Sequence, residues 1–222
     1  MTEESSINVQ REGLVEKVLT KEEQDRLTPA AVIDLLKQGN ARFANGDVTL
    51  RNHVAQVRMA AASQFPKAIV LSCVDSRVPV EDVFDRGIGD LFVARVAGNF
   101  VNTDILGSME FACKVSGSKL ILVLGHQHCG AVKSAVDAVE LGNITAMLSK
   151  IRPAVEAVEE GGDRSSANDD FVHRVATHNV ERNIERIREE SPILREMEEN
   201  GEIAIVGGMY SLETGKVTFF GD

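Results

Sequence analysis

The chain has 222 residues, a formal net charge of −10, 43% hydrophobic and 26% charged residues, and three cysteines. That composition can bury a core, and its acidity argues against general nucleic-acid binding, which needs cations to displace counterions from phosphates. No apolar run approaches the roughly 18 residues of a membrane span. The first residues show no basic segment followed by an apolar one, and an odd cysteine count fits thiolates used for metal or catalysis in a reducing, cytoplasmic setting.

Residues 1–27 are polar and charged, and read as an arm ordered against the body or a partner subunit. One folded domain is expected over 28–222. Thr28-Pro29 opens a helix, with a hydroxyl cap and proline at the first helical position. Val32, Leu35, Leu36 and Phe43 recur at helical spacing, and Asn45-Gly46 closes it. Ala68-Ile69-Val70-Leu71 is a short continuous apolar run, as in a strand buried on both faces. Leu91-Phe92-Val93-Ala94 is a second, Leu120 to Leu124 a third, and Ile203-Ala204-Ile205-Val206 a fourth. Helical patterns occupy 103–115 (with Thr103 as cap), 130–140, 143–158 and 171–188, and Ser191-Pro192 restarts a short one. Residues 163–170 read as an exposed loop. Val217 to Phe220 follows a turn at Gly215, which predicts an antiparallel edge strand. The alternation predicts an α/β fold: a central, mostly parallel sheet of four parallel strands plus that edge strand, flanked by helices.

Chemistry concentrates where two strands end. The first runs into Ser72-Cys73-Val74-Asp75-Ser76-Arg77, the third into Gly125-His126-Gln127-His128-Cys129-Gly130. Ligands of open parallel sheets sit at the carboxyl ends of strands. If the two strands are neighbours, Cys73, His126 and Cys129 converge. Two thiolates and an imidazole suit tetrahedral zinc, and three protein ligands leave a position for water, as in catalytic sites. Asp75 beside such a metal can be a fourth ligand, a general base or a hydrogen-bond acceptor. Arg77 can grip it through two parallel bonds and keep it ionised. Cys113 lies among apolar residues and reads as a core thiol. His128, between two proposed ligands, reads as a surface or supporting residue. His53, His173 and His178 have no partner pattern.

Those two segments resemble the C-x-D-S-R and G-H-x-x-C-G motifs of the β-class carbonic anhydrases. Gly39-Asn40-Ala41-Arg42-Phe43 is similar to that family's N-terminal helix. Ser191-Pro192-Ile193-Leu194 and Gly207-Gly208-Met209-Tyr210 are similar to its C-terminal part, so the likeness runs from about Thr28 to Phe220. The resemblance implies one zinc per chain on Cys73, His126 and Cys129, with Asp75 and Arg77 as a catalytic dyad. It also implies reversible hydration of CO2 to bicarbonate and a proton by attack of zinc-bound hydroxide. Gln64 matches a glutamine that donates to the substrate oxygen in some members. Phe92 matches an aromatic of the apolar substrate cleft, Phe111 falls where many members carry tyrosine, and Ala97 where valine is common. A homodimer or homotetramer with the cleft at a subunit interface is implied as well. One departure is Val70: some bacterial members place tryptophan there, in an inhibitory bicarbonate site, and this chain contains no tryptophan.

Two other readings share the motifs: a hydrolase of carbon disulfide or carbonyl sulfide on the same scaffold, and a non-catalytic zinc protein that uses the metal for folding or partner binding. The Asp75-Arg77 pair weighs against the second, because a structural site needs no dyad. A thiol redox protein is more distant still, since Cys73 and Cys129 lack C-x-x-C spacing.

Overall fold

The structure is a computed structural model, described over residues 13–159 and 162–221. Its centre is the set of apolar runs. Ala68–Ser72 (β1) and Leu120–His126 (β3) are buried at every position. Leu91–Arg95 (β2), Ala204–Tyr210 (β4) and Val217–Phe219 (β5) complete a sheet in the order β2-β1-β3-β4-β5. The first four strands are parallel, and β5 pairs antiparallel with β4. This is the expected α/β architecture, with β4 running further towards its carboxyl end than its apolar run suggested.

Burial on both faces follows from strand alternation. Ile69 and Leu71 pack towards Val175, Val180 and Ile187 of the long helix Asp169–Glu190. Ala68 and Val70 face the other way, onto Leu36, Phe84 and Phe219. Burying each such aliphatic side chain contributes about 1.5–3 kcal/mol, so the sheet is a rigid base for whatever its ends carry.

Ten α-helices are described: α1 (Lys21–Asp25), α2 (Pro29–Asn45), α3 (His53–Ala60), α4 (Val80–Val83), α5 (Thr103–Glu110), α6 (Gly130–Val136), α7 (Gly142–Leu148), α8 (Arg152–Ala157), α9 (Asp169–Glu190) and α10 (Pro192–Glu199). Thr28 caps α2 as expected, its side chain accepting from the Ala31 N–H, and Gly46 ends the helix at φ 73°. Ser191 caps α10 in the same way. Four expectations need correction. The cap of α5 is Asn102, one residue early, because its carboxamide reaches the Ile105 N–H. That helix also stops at Glu110 and continues as a π-helical turn, Phe111–Val115. The pattern at 143–158 is two helices, since Pro153 lacks an N–H and its ring crowds the carbonyl four residues back. Finally, α6 ends at Val136, short of Glu140.

Residues 1–12 of the expected arm lie outside the described residues. The remainder is tied to the body: Gln24 is buried, and its Nε2 donates to the carbonyls of Pro66 (2.8 Å) and Ser116 (2.9 Å).

Candidate metal centre

The sheet order makes β1 and β3 neighbours, with Ser72 opposite Leu124. Strand β1 is also the point where the chain reverses direction across the sheet, with β2 on one side and β3 on the other. In open sheets such a switch point opens a crevice at the carboxyl ends of the strands. Cys73 is the first residue beyond β1, and His126 is the last of β3. Gln127 and His128 then turn the chain, His128 taking φ 51°, before Cys129 caps α6. The turn is pinned from β4: Gln127 N–H donates to the Tyr210 carbonyl at 3.0 Å, and its Oε1 accepts from Leu212 N–H at 3.1 Å.

Cys73, His126 and Cys129 are thereby brought together, all buried, each offering one ligand atom within 4.8 Å of the others. The two Sγ atoms are 3.9 Å apart. His126 Nδ1 lies 2.8 Å from the Gln127 carbonyl. A carbonyl only accepts, so Nδ1 carries the proton and Nε2 presents a lone pair. That Nε2 is buried with no hydrogen-bond partner. An orphaned buried imidazole nitrogen facing two sulfurs costs free energy unless something cationic joins them. The donor chemistry and the orphaned atom both fit a zinc ion. The fixed tautomer supplies the outer-sphere orientation that metal-bound histidines need.

Electrostatics agree. The contact with Cys129, against the cost of burial, draws the Cys73 thiol well below the usual thiol range, and the Gly98 N–H acts in the same direction. The same contact pushes Cys129 up. A cation arriving between the sulfurs would displace any proton that either holds. Cys113 is remote from this pair and buried, and burial lifts its thiol to about 12, as an inert core residue requires.

Asp75 and Arg77 form the expected pair. Arg77 Nε donates to Asp75 Oδ1 at 2.9 Å, Nη2 to Oδ2 at 2.7 Å, and the Arg77 backbone N–H to Oδ1 at 2.9 Å. The Arg77 side chain, outweighing burial, holds the Asp75 carboxyl at about 2. Asp75 Oδ2 stands 3.9 Å from His126 Nε2, so the carboxylate borders the donor cluster. His128 instead faces outward, its Nδ1 3.4 Å from Asp169 Oδ1.

The cleft residues divide. Phe92 and Phe111 meet edge to face with centroids 6.2 Å apart. With Ile69 and Ser108 they line an open groove of about 680 Å³ beside the edge strand β2. Ala97 is half-buried and lies outside that groove. Gln64 is exposed, in the segment that precedes β1. It therefore sits at the amino end of a strand whose carboxyl end carries Cys73, roughly 16 Å away at 3.3 Å per residue. Within one chain it does not join the cluster.

Three contributors escaped sequence reasoning. Arg95 donates from Nη1 to the Cys73 carbonyl (2.9 Å) and from Nη2 to the Val78 carbonyl (2.7 Å), bracing the turn that holds Asp75 and Arg77. Gly98 N–H donates to Cys73 Sγ at 3.3 Å. Asn179, on α9, donates to the Gly98 carbonyl at 3.0 Å. An arginine at a strand end and a Gly-Asn turn were the available signals.

A family model described as carbonic anhydrase matches residues 68–217. Carbonic anhydrase 2 of Mycobacterium tuberculosis is 36% identical over 194 residues, covering 85% of this chain and 91% of its own. A carbonic anhydrase of Mycolicibacterium smegmatis is 35% identical over 195 residues, covering 85% and 92%. Among solved structures, the Coccomyxa β-carbonic anhydrase in complex with acetazolamide superposes with a TM-score of 0.67 at 25% identity, over 85% of this chain and 84% of that one. A tetrameric β-carbonic anhydrase of Sordaria macrospora shares the fold, with a TM-score of 0.64 at 24% identity over 74% and 85%. The strand-end cysteine–histidine cluster and these matches agree, and the chain belongs to the β-carbonic anhydrase family of lyases.

Proposed function

We propose that this protein interconverts CO2 and bicarbonate using one zinc ion per chain, held by Cys73, His126 and Cys129, with Asp75 and Arg77 as the catalytic dyad. The observation that carries the reading is the orphaned His126 Nε2, buried among two sulfurs with the Asp75 carboxylate 3.9 Å away. When bound, zinc supplies Lewis-acid chemistry that lowers the pKa of water to near neutrality.

The chain's own residues do the rest. Arg77 keeps Asp75 ionised, so at working pH Asp75 only accepts; a hydrogen bond from the nucleophilic water to Oδ2 aims the lone pair at CO2. Phe92 and Phe111 in their groove, and Ala97 outside it, are the apolar residues we assign to the substrate cleft, where they would exclude competing water. Gln64 donates to a substrate oxygen. Given where Gln64 lies, that role needs the cleft to be completed by a second copy, and we take the working form to be a homodimer or homotetramer. Residues 28–222 form the catalytic domain, 1–27 its arm, and the compartment is the cytoplasm. Among the described residues no helix is long and apolar enough to cross a membrane. The sulfur-substrate and non-catalytic readings draw no support from the comparisons.

Stopped-flow CO2 hydration with a pH indicator, on protein of quantified zinc content, tests the proposal. Rapid hydration that rises with pH is expected. Zinc-replete protein without hydration at alkaline pH would overturn it.

A further inference from the structure

Two thiolates neutralise the formal charge of a zinc ion and weaken it as a Lewis acid, so a site of this donor set gains from anything that draws electron density off the sulfur. Among the described residues, the loop after β2 supplies such a group. Gly98 N–H points at Cys73 Sγ at 3.3 Å. The glycine is obligatory there. Its φ is +84°, and a Cβ would stand 2.3 Å from Ile151 Cδ1.

What holds Gly98 in place comes from a distant part of the chain. Along one face of α9, Asn179, Asn183 and Arg186 stand at helical spacing, and all three reach the same loop. Asn179 Nδ2 donates to the Gly98 carbonyl at 3.0 Å. Asn183 Oδ1 accepts from the Val101 N–H at 2.7 Å, and Arg186 Nη1 donates to the Val101 carbonyl at 3.0 Å. Asn183 Nδ2 in turn bonds the Asn179 carbonyl (2.7 Å) and, at 3.2 Å, Asn179 Oδ1, which fixes which end of the Asn179 amide faces Gly98. Both asparagines are buried. Packing alone has no use for two buried carboxamides on a helix face lined with Val175, Val180 and Ile187. One polar atom of each meets the backbone of the loop, and their remaining polar atoms meet each other.

The geometry points to Asn179, oriented by Asn183, as a positioning residue that keeps the Gly98 N–H on the Cys73 sulfur and so sets the Lewis acidity of the metal site. The inference rests on the zinc reading above and adds to it a tuning element carried by α9. Each Cys73 sulfur lone pair that accepts from Gly98 gives less charge to the metal, and the apparent pKa for hydration falls. Residues at this remove from a metal change affinity or activity by about 10–100-fold when replaced.

The test uses cobalt-substituted and zinc-loaded protein in parallel. Asn179→Leu is expected to move the sulfur-to-cobalt charge-transfer absorption to longer wavelength. It should also lower kcat about tenfold with KM unchanged and raise the pH midpoint of CO2 hydration. Asn183→Ala, which frees the Asn179 amide to turn, should produce smaller shifts in the same directions and serves if the leucine variant does not fold. Ser191→Ala is the stability control: it removes a part-buried hydrogen bond to Glu110 just beyond the far end of α9, lowers the melting temperature, and leaves band and pH midpoint in place. A folded Asn179 variant with an unmoved band and pH midpoint overturns the positioning role and leaves the zinc reading standing. Wild-type protein that takes up cobalt without a sulfur charge-transfer band overturns both.

Discussion

Arg95 and Cys73 are joined by a single hydrogen bond, guanidinium to backbone carbonyl at 2.9 Å, which ties the end of the edge strand to the first residue beyond β1. Its second bond, to Val78, spans the segment that carries Asp75 and Arg77. Replacing Arg95 with leucine frees both carbonyls and loosens the segment without touching a ligand or the dyad. Zinc retained after dialysis against a chelator, compared with wild type, is expected to fall, and hydration with it by about tenfold, as for other outer-sphere partners of metal sites. Retention equal to wild type would show that the turn holds itself.

Substitution separates the proposed dyad from the proposed ligands. Cys73→Ser should lose metal and activity together. Asp75→Asn keeps the donor cluster intact and removes the ionised acceptor, so it should retain zinc while turnover falls by about 10²–10⁴-fold, the range of general acid–base contributions. Zinc content and stopped-flow rates on the same sample decide it, and a fully active, zinc-replete Asp75→Asn protein is incompatible with the dyad.

Asp85 predicts an acid-dependent stability term. Burial raises its carboxyl, but Arg51, Thr49 and Arg42 outweigh this and hold it at about 2. The bonds are Arg51 Nη1 (2.5 Å), Arg42 Nε (2.6 Å) and Thr49 Oγ1 (2.7 Å). A carboxyl depressed on folding contributes stability above its unfolded pKa, near 3.9, that is lost as pH falls towards its folded value. The contribution at neutral pH is roughly 2–3 kcal/mol at 1.36 kcal/mol per unit. Urea unfolding of wild type should show this loss between pH 4 and 2, on the order of that figure, while Asp85→Asn, less stable at neutral pH, should show a correspondingly flatter profile there.

Gly98→Ala meets both a left-handed backbone and Ile151 Cδ1 at 2.3 Å. Together these should destabilise the fold by roughly 2–4 kcal/mol. Removing the offending methyl with Ile151→Val should recover part of that loss in the double variant, read as a rise in melting temperature. No recovery would place the strain elsewhere.

Much of this was legible in the sequence, and for physical reasons. Doubly buried strands write continuous apolar runs, so β1, β3 and the antiparallel end were readable. The ligands stood at two strand ends that only needed to be neighbours. What was not readable depends on contacts between distant segments. Helix α3 exposes Val54, Val57 and Met59, so its apolar spacing carries no single core stripe. Asn102 takes the cap from Thr103 because local geometry, and not residue preference, decides between adjacent capping residues. Arg95, Gly98 and Asn179 act through backbone carbonyls and an N–H, so their residue types alone do not say which distant segment they meet. Gln64 matches a family glutamine in sequence, and its place at the amino end of β1 is a matter of strand length and assembly that one chain's sequence does not display.

The clamp on loop 96–101 also has an order in time. A ribosome makes Cys73, then Gly98, then His126 and Cys129, and only much later Asn179 and Asn183. The nascent chain therefore holds all three proposed donors before the helix that braces Gly98 is made. An ion captured at that stage would sit among sulfurs still at full donor strength, and the arrival of α9 would be the step that matures the site.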